Sequence, residues 1–293
     1  MKEPILRVES LNKHYGKLHA INGVSFDIRP GEIVGLLGHN GAGKSTLIKC
    51  LMDVVRSYSG TITVAGKDIR QKHWTVRKNV GFLLEPAFCD YLSARENLRL
   101  LDTVSGDPDP DRVDEVLEIV SLKKFANKLV SGFSFGMRQR LGLAQVLLTQ
   151  PKLIVLDEPT VGLDPVGVEI IKDIIVQCSQ QGVAVLFSSH QLSDVLDICH
   201  RTIVMNQGRV VFDGPAEKLN RKYYTVQLAR PVEEHTEALK KLSPDLTVEE
   251  SSIHFTSSAI VQVVLNYLVQ HQLPIVDLDI DTSMDKLKRL MQQ

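Results

Sequence analysis

Residues 38–46 read Gly-His-Asn-Gly-Ala-Gly-Lys-Ser-Thr. The spacing Gly38, Gly43, Lys44, Ser45 is that of a phosphate-cradling loop. Glycines let backbone N–H groups converge on anionic oxygens, the lysine adds a point charge and the serine hydroxyl is suited to Mg²⁺. Gly38, Asn40, Gly41, Ala42, Gly43, Lys44, Ser45 and Thr46 are therefore the candidate contacts to a nucleoside triphosphate. A second constellation lies at Asp157-Glu158, which ends the apolar run Leu153-Ile154-Val155-Leu156. Two acids at the end of a buried strand suit a division of labour, with Asp157 toward Mg²⁺ or its water and Glu158 polarising the attacking water.

Such groups need a scaffold, and the chain supplies the expected elements. Glu32 to Leu37 is a short apolar, strand-forming run before the loop, and Leu47, Ile48, Leu51 and Met52 recur at helical spacing after it. The loop thus leaves a strand and opens a helix, whose N-terminal N–H groups point at anions. Upstream, residues 5–34 alternate like an antiparallel hairpin, with a turn expected from Asn12 to Gly16. From Pro86 to about Pro151 the pattern becomes helical. Ser93 and Glu96 form a capping box, and Asp107-Pro108-Asp109-Pro110 breaks one helix before the next. Continuous apolar runs at 152–157 and 183–188 suit central parallel strands. Beyond about Arg221 the order strand, helix, strand, strand, helix, strand and a terminal helix ending at Gln293 predicts a small α+β domain of ferredoxin-like order.

Composition narrows the partners. A net charge of −1 over 293 residues leaves no basic field for nucleic acid, and no apolar run reaches the roughly 18–20 residues that span a bilayer. The start, Met1 to Ser10, lacks the apolar core of a signal peptide, so a cytoplasmic protein is expected. Cys50, Cys89, Cys178 and Cys199 show no C-x-x-C spacing and read as reduced thiols. No histidine pair has metal-ligand spacing. An Asn-Lys-x-Asp-like guanine reader is missing, since Asn12-Lys13-His14-Tyr15 precedes the phosphate loop.

Taken in order, Tyr15, the loop 38–46, Ser134-Phe135-Gly136-Met137-Arg138-Gln139-Arg140, Asp157-Glu158, Gly162-Leu163-Asp164-Pro165 and His190 resemble the motifs of ATPase subunits of ABC transporters, over roughly residues 4–220. The resemblance implies an α/β fold with a P-loop NTPase core, an antiparallel β subdomain and a helical insertion at about 86–151. It places an ATP-binding domain at 1–221 and an accessory domain at 222–293. It also implies ATP and Mg²⁺ as ligands, Tyr15 stacking on adenine, and His190 contacting the γ-phosphate while holding Glu158 in line. Ser134 and Gly136 would face nucleotide bound to a second copy in a head-to-tail homodimer, and Asp164 would couple the two sites.

A separate integral membrane permease subunit is the implied partner, placing the chain at the inner face of the membrane. A soluble ATPase of the same type acting on a non-membrane partner is the alternative. Residues 86–92, with Phe88 and Tyr91, are the candidate groove for that permease. Two departures stand out. Phe135 and Met137 replace small and amide-bearing members of the usual Leu-Ser-Gly-Gly-Gln signature, and Glu85 stands where a glutamine is usual. An ionised carboxylate only accepts and adds charge beside a metal. This substitution, with the Ser134 to Ala144 segment, is similar to bacitracin- and lantibiotic-resistance exporters.

Overall fold

The computed structural model describes residues 3–71, 76, 78–105 and 108–285. The chain divides into two compact units, Met1–Gly214 and Pro215–Gln293. The last strand of the first unit's large sheet ends at Pro215, where the second unit begins.

In the first unit, β1 (Leu6–Tyr15), β2 (Leu18–Ile28), β4 (Ser59–Val64) and β5 (Lys67–Asp68) form an antiparallel sheet in the order β2-β1-β4-β5. The turn expected at Asn12 to Gly16 lies later, after Tyr15, because Asn12 sits within β1 and repairs a bulge. Its Oδ1 accepts from Gly23 N at 2.8 Å and its Nδ2 donates to Ser10 O at 2.8 Å. Ser10 takes a left-handed φ of 47°, and Gly60 lies so close that a Cβ there would sit 2.5 Å from Ser10 O. The side-chain amide thus replaces ladder bonds that the extra residue disrupts.

The second sheet follows the order β10-β9-β3-β8-β7-β6. Its strands are β3 (Ile33–Leu37), β6 (Val80–Leu83), β7 (Leu153–Leu156), β8 (Ala184–Ser189), β9 (Arg201–Asn206) and β10 (Arg209–Pro215). From β6 to β9 neighbouring strands run parallel. β3, β7 and β8 are buried along their whole length, which explains their unbroken apolar runs. Leu47 and Ile48 of α1 (Lys44–Leu51) join Leu36, Leu186 and Ile203 in the core, together with Leu6 and Ile62 of the antiparallel sheet.

The helical insertion holds α2 (Ala94–Ser105), α3 (Pro110–Ile119) and α4 (Phe135–Leu148). Each start has a local cause. Ser93 and Glu96 close the expected capping box, with Glu96 Oε2 accepting from Ser93 N at 2.8 Å and Ser93 Oγ accepting from Glu96 N at 3.2 Å. The Ser93 hydroxyl, which donates to Glu96 Oε2 at 2.6 Å, and then the Ser93 N–H hold the Glu96 carboxyl below its usual range. Asp109 caps α3 ahead of Pro110, and Ser134 caps α4 by accepting from Met137 N at 3.3 Å. Asp107 of the expected helix break lies outside the described residues. Two further helices, α5 (Pro165–Gln180) and α6 (Leu192–Ile198), follow β7 and β8.

The second unit runs β11 (Lys222–Leu228), α7 (Thr236–Leu242), β12 (Thr247–Glu249), β13 (Ser252–Phe255), α8 (Val261–Gln270) and β14 (Ile275–Thr282). Its sheet order is β12-β13-β11-β14, antiparallel throughout. Val226, Ile253, Val264 and Leu268 form its core. Residues 283–285 are helical, and the rest of the expected terminal helix lies outside the described residues. All four cysteines are free. Burial pushes the Cys50 and Cys178 thiols up to about 11 and Cys199 higher still, so these three stay protonated at neutral pH.

Candidate functional site

The phosphate loop joins β3 to α1, Asp157-Glu158 follows β7, and His190 follows β8. In the sheet β8 lies between β3 and β7, and all three strands are parallel, so their carboxyl ends deliver Lys44, His190 and Glu158 to one edge. Lys44 Nζ lies 3.7 Å from Glu158 Oε1, and His190 Nδ1 lies 3.1 Å from Glu158 Oε2. Glu158 therefore stands between a cation and an imidazole.

The loop is shaped by what its backbone must approach. A Cβ on Gly38 would meet Met205 O at 2.7 Å, and one on Gly43 would meet Ala20 O at 2.5 Å. Gly43 also takes a φ of 106°, which side-chain-bearing residues rarely adopt. Lys44 is only 5% exposed and donates to Gly38 O at 2.6 Å, so the ammonium is held inside its own loop. Buried Ala42 accepts from Gly208 N at 3.0 Å, fixing the loop to the turn after β9.

Glu158 is itself strained, with a left-handed φ of 48°. Such a conformation costs about 1–3 kcal/mol and persists where surrounding structure enforces it. Here Ser188 enforces it, since its Oγ accepts from Glu158 N at 2.9 Å and donates to Asp157 Oδ1 at 2.5 Å. One buried hydroxyl on β8 thus fixes both acids. Sequence reasoning assigned Ser188 no role. Its signal was a polar residue near the end of an otherwise apolar strand.

A cleft of about 920 Å³ is lined by Tyr15, Asn40, Gly41, Gly43, Lys44, Ser45, Thr46 and Glu158. Tyr15 is 48% exposed on its wall, and the buried Lys13 ammonium lies 4.6 Å from the ring centroid, a cation–π contact that steadies the ring. Leu18, His39, Asn206 and Arg209 also line this cleft and were not singled out from the sequence. His39 bridges the loop to β9 through a 2.9 Å contact between Nε2 and Asn206 Oδ1.

A second cleft of about 910 Å³ is lined by Ser45, Glu85, Asp157 and Glu158 together with Phe135 and Arg138. Asp157 N donates to Leu83 O at 2.8 Å, drawing the residues after β6 and β7 side by side. The hydroxyl of Ser45 and the carboxylates of Asp157 and Glu85 are oxygen donors suited to a hard divalent cation. Among the described residues no group of three or more His, Cys, Asp or Glu could hold a metal, so such a cation needs further oxygens from its ligand.

Ser134 and Gly136 do not line the Lys44 cleft; they sit at the start of α4 with Phe135, which is 57% exposed. Asp164 caps α5 by accepting from Gly167 N at 3.2 Å. Tyr91 is 77% exposed and Phe88 half-buried. Arg138 of α4 bonds Asp90 at 2.8 Å, tying the 86–92 loop to the start of that helix.

The sequence profile of the family described as ABC transporter matches residues 21–161. An uncharacterized ABC transporter ATP-binding protein of Bacillus subtilis, YdbJ, is 41% identical over 212 residues, 72% of this chain and 69% of that protein. The bacitracin transport ATP-binding protein BcrA of Bacillus licheniformis is 36% identical over 230 residues, 77% and 75% of the two chains. The solved structure of cbiO1 from Clostridium perfringens, described as part of the ABC transporter complex cbiONQ, superposes with a TM-score of 0.68 at 30% identity, covering 74% of this chain and 90% of that one. No helix among the described residues is long and apolar enough to cross a membrane. With its phosphate loop, strand-end acids and His190 gathered on one edge, the chain belongs to the ABC transporters and is one of their ATP-binding subunits, carrying the family's ATPase domain.

Proposed function

We propose that two copies of this chain close head to tail around Mg²⁺-ATP and hydrolyse it to drive a separate membrane permease that exports an antimicrobial peptide or related drug. The observation that carries this reading is the contact of Glu158 with both Lys44 and His190.

Tyr15 stacks on adenine, and the loop N–H groups of residues 40–46 bind the phosphates. Lys44 exchanges its bond to Gly38 O for phosphate oxygen, an anion that attracts the ammonium more strongly than a carbonyl does. Glu158 accepts a proton from the attacking water, while His190 holds the carboxylate in place and donates toward the γ-phosphate. Ser45, Asp157 and Glu85 would hold Mg²⁺, which when bound would neutralise charge on the triphosphate.

Ser134 and Gly136 do not line the Lys44 cleft of their own chain, which favours a role at the nucleotide of the second copy. There the α4 N-terminus meets the γ-phosphate. Phe88 and Tyr91 receive the permease, whose arrival reaches α4 through the Asp90–Arg138 pair. The chain thereby sits peripherally at the cytoplasmic face of the membrane. The export of an antimicrobial peptide is supported by the bacitracin-transport relative. The strand order and directions of the second unit favour a ferredoxin-like accessory domain.

Light scattering of Glu158→Gln with and without Mg²⁺-ATP tests the reading. A dimer that forms only with ATP is expected, because the variant keeps the phosphate contacts and loses the base. A monomer in both conditions contradicts it.

A further inference from the structure

Behind the reactive edge lies a buried polar network to which the mechanism gives no part. Thr160 follows Glu158 by two residues and is 8% exposed; Asp194, four residues after His190 in the first turn of α6, is 6% exposed; Lys172 of α5 is 7% exposed. Thr160 Oγ1 donates to Asp194 Oδ2 at 2.8 Å, and Lys172 Nζ lies 3.6 Å from Asp194 Oδ1. Lys172 also donates to Asp197 Oδ2 at 2.6 Å and lies 3.5 Å from Glu169. Burial works to lower the Lys172 pKa, but the hydrogen bond to Asp197 and the three facing carboxylates together raise it, so the cation persists.

Buried charges are costly and are tolerated when paired and fully bonded. This set spans three elements: the loop after Glu158, the helix that continues from it, and the helix after His190. Asp194's neighbour Val195 is wedged against β3, where a Cβ on Gly35 would lie 2.7 Å from it. The carboxylate is therefore anchored to the strand that feeds the phosphate loop, and Thr160 is its only direct side-chain tie to the Glu158 loop among the bonds of the described residues.

We infer that the Thr160–Asp194 hydrogen bond, charge-balanced by Lys172, is a positioning device that sets the Glu158 and His190 loops in register, so that the carboxylate and imidazole meet at 3.1 Å. It rests on the proposed roles of Glu158 and His190. Neither Thr160 nor Asp194 touches the nucleotide, so loosening the pair misplaces a transition-state contact while leaving ground-state binding alone.

The test compares Thr160→Val, which keeps the shape and removes the donor, with Thr160→Ser, which keeps the donor. Thr160→Val is expected to lower kcat about tenfold with the KM for ATP within about twofold, and Thr160→Ser to restore most of the loss. In the ¹H–¹⁵N spectrum of the nucleotide-free chain, the His190 ring signals, assigned by their loss in His190→Gln, are expected to move in Thr160→Val and hold in Thr160→Ser. This reading needs no turnover, so it separates failure of the positioning pair from failure of the ATPase assignment. Unmoved His190 signals in Thr160→Val, or a KM that rises in step with any fall in kcat, would overturn the inference. Thermal unfolding of each variant confirms that the chain remains folded.

Discussion

The six-stranded sheet of the first unit and the four-stranded sheet of the second both bury an apolar core, yet among the described residues only the first gathers reactive groups. Strand direction explains the difference. Parallel neighbours send their carboxyl ends to one edge, so residues from β3, β7 and β8 converge there. In the antiparallel sheet consecutive ends alternate, and the polar groups satisfy one another locally. His254, in mid-strand, meets the hydroxyls of Thr225 and Ser252 at 3.1 and 3.0 Å, and His235 meets the Tyr267 hydroxyl at 2.9 Å. At the reactive edge of the first sheet Glu158 also takes a left-handed φ of 48°.

The largest break in this contrast is expected from Lys44→Ala. Removing a buried, hydrogen-bonded charge from the phosphate loop should weaken Mg²⁺-ATP binding by about 100-fold, read by calorimetry. An unchanged affinity would move the nucleotide elsewhere. The converse change is Leu268→Ala in the core of the second unit. It should lower the stability of that unit by about 2–3 kcal/mol in denaturant, with ATP affinity within about twofold. A comparable loss of ATP binding would show that the second unit takes part in the site.

The smallest effect is expected from Glu85→Gln, which removes one negative charge from the oxygen donors beside Ser45 and Asp157. The Mg²⁺ concentration for half-maximal hydrolysis should rise about threefold. A fall, or no change, would remove Glu85 from the cation site.

Much of the reactive edge was legible in the sequence because its determinants are local. A phosphate loop needs glycines at fixed spacing, and a strand-end acid pair needs an apolar run before it. What escaped was set by residues distant in sequence. The β1 bulge depends on Asn12 reaching Gly23, which moved the hairpin turn past Tyr15. Glu158's backbone depends on Ser188 from another strand, and Thr160 meets Asp194 only because α6 folds back beside the Glu158 loop. His39 and Asn206 line the Lys44 cleft because β3 pairs with β9, which no spacing revealed.

The central claim is a site completed by two chains, and hydrolysis measured against protein concentration tests it most directly. Mg²⁺-dependent ATP turnover by the wild-type chain, per mole of protein, should rise steeply with concentration before reaching a plateau, and Glu158→Gln should show none at any concentration. A specific activity independent of concentration, or rapid turnover by Glu158→Gln, would contradict the account.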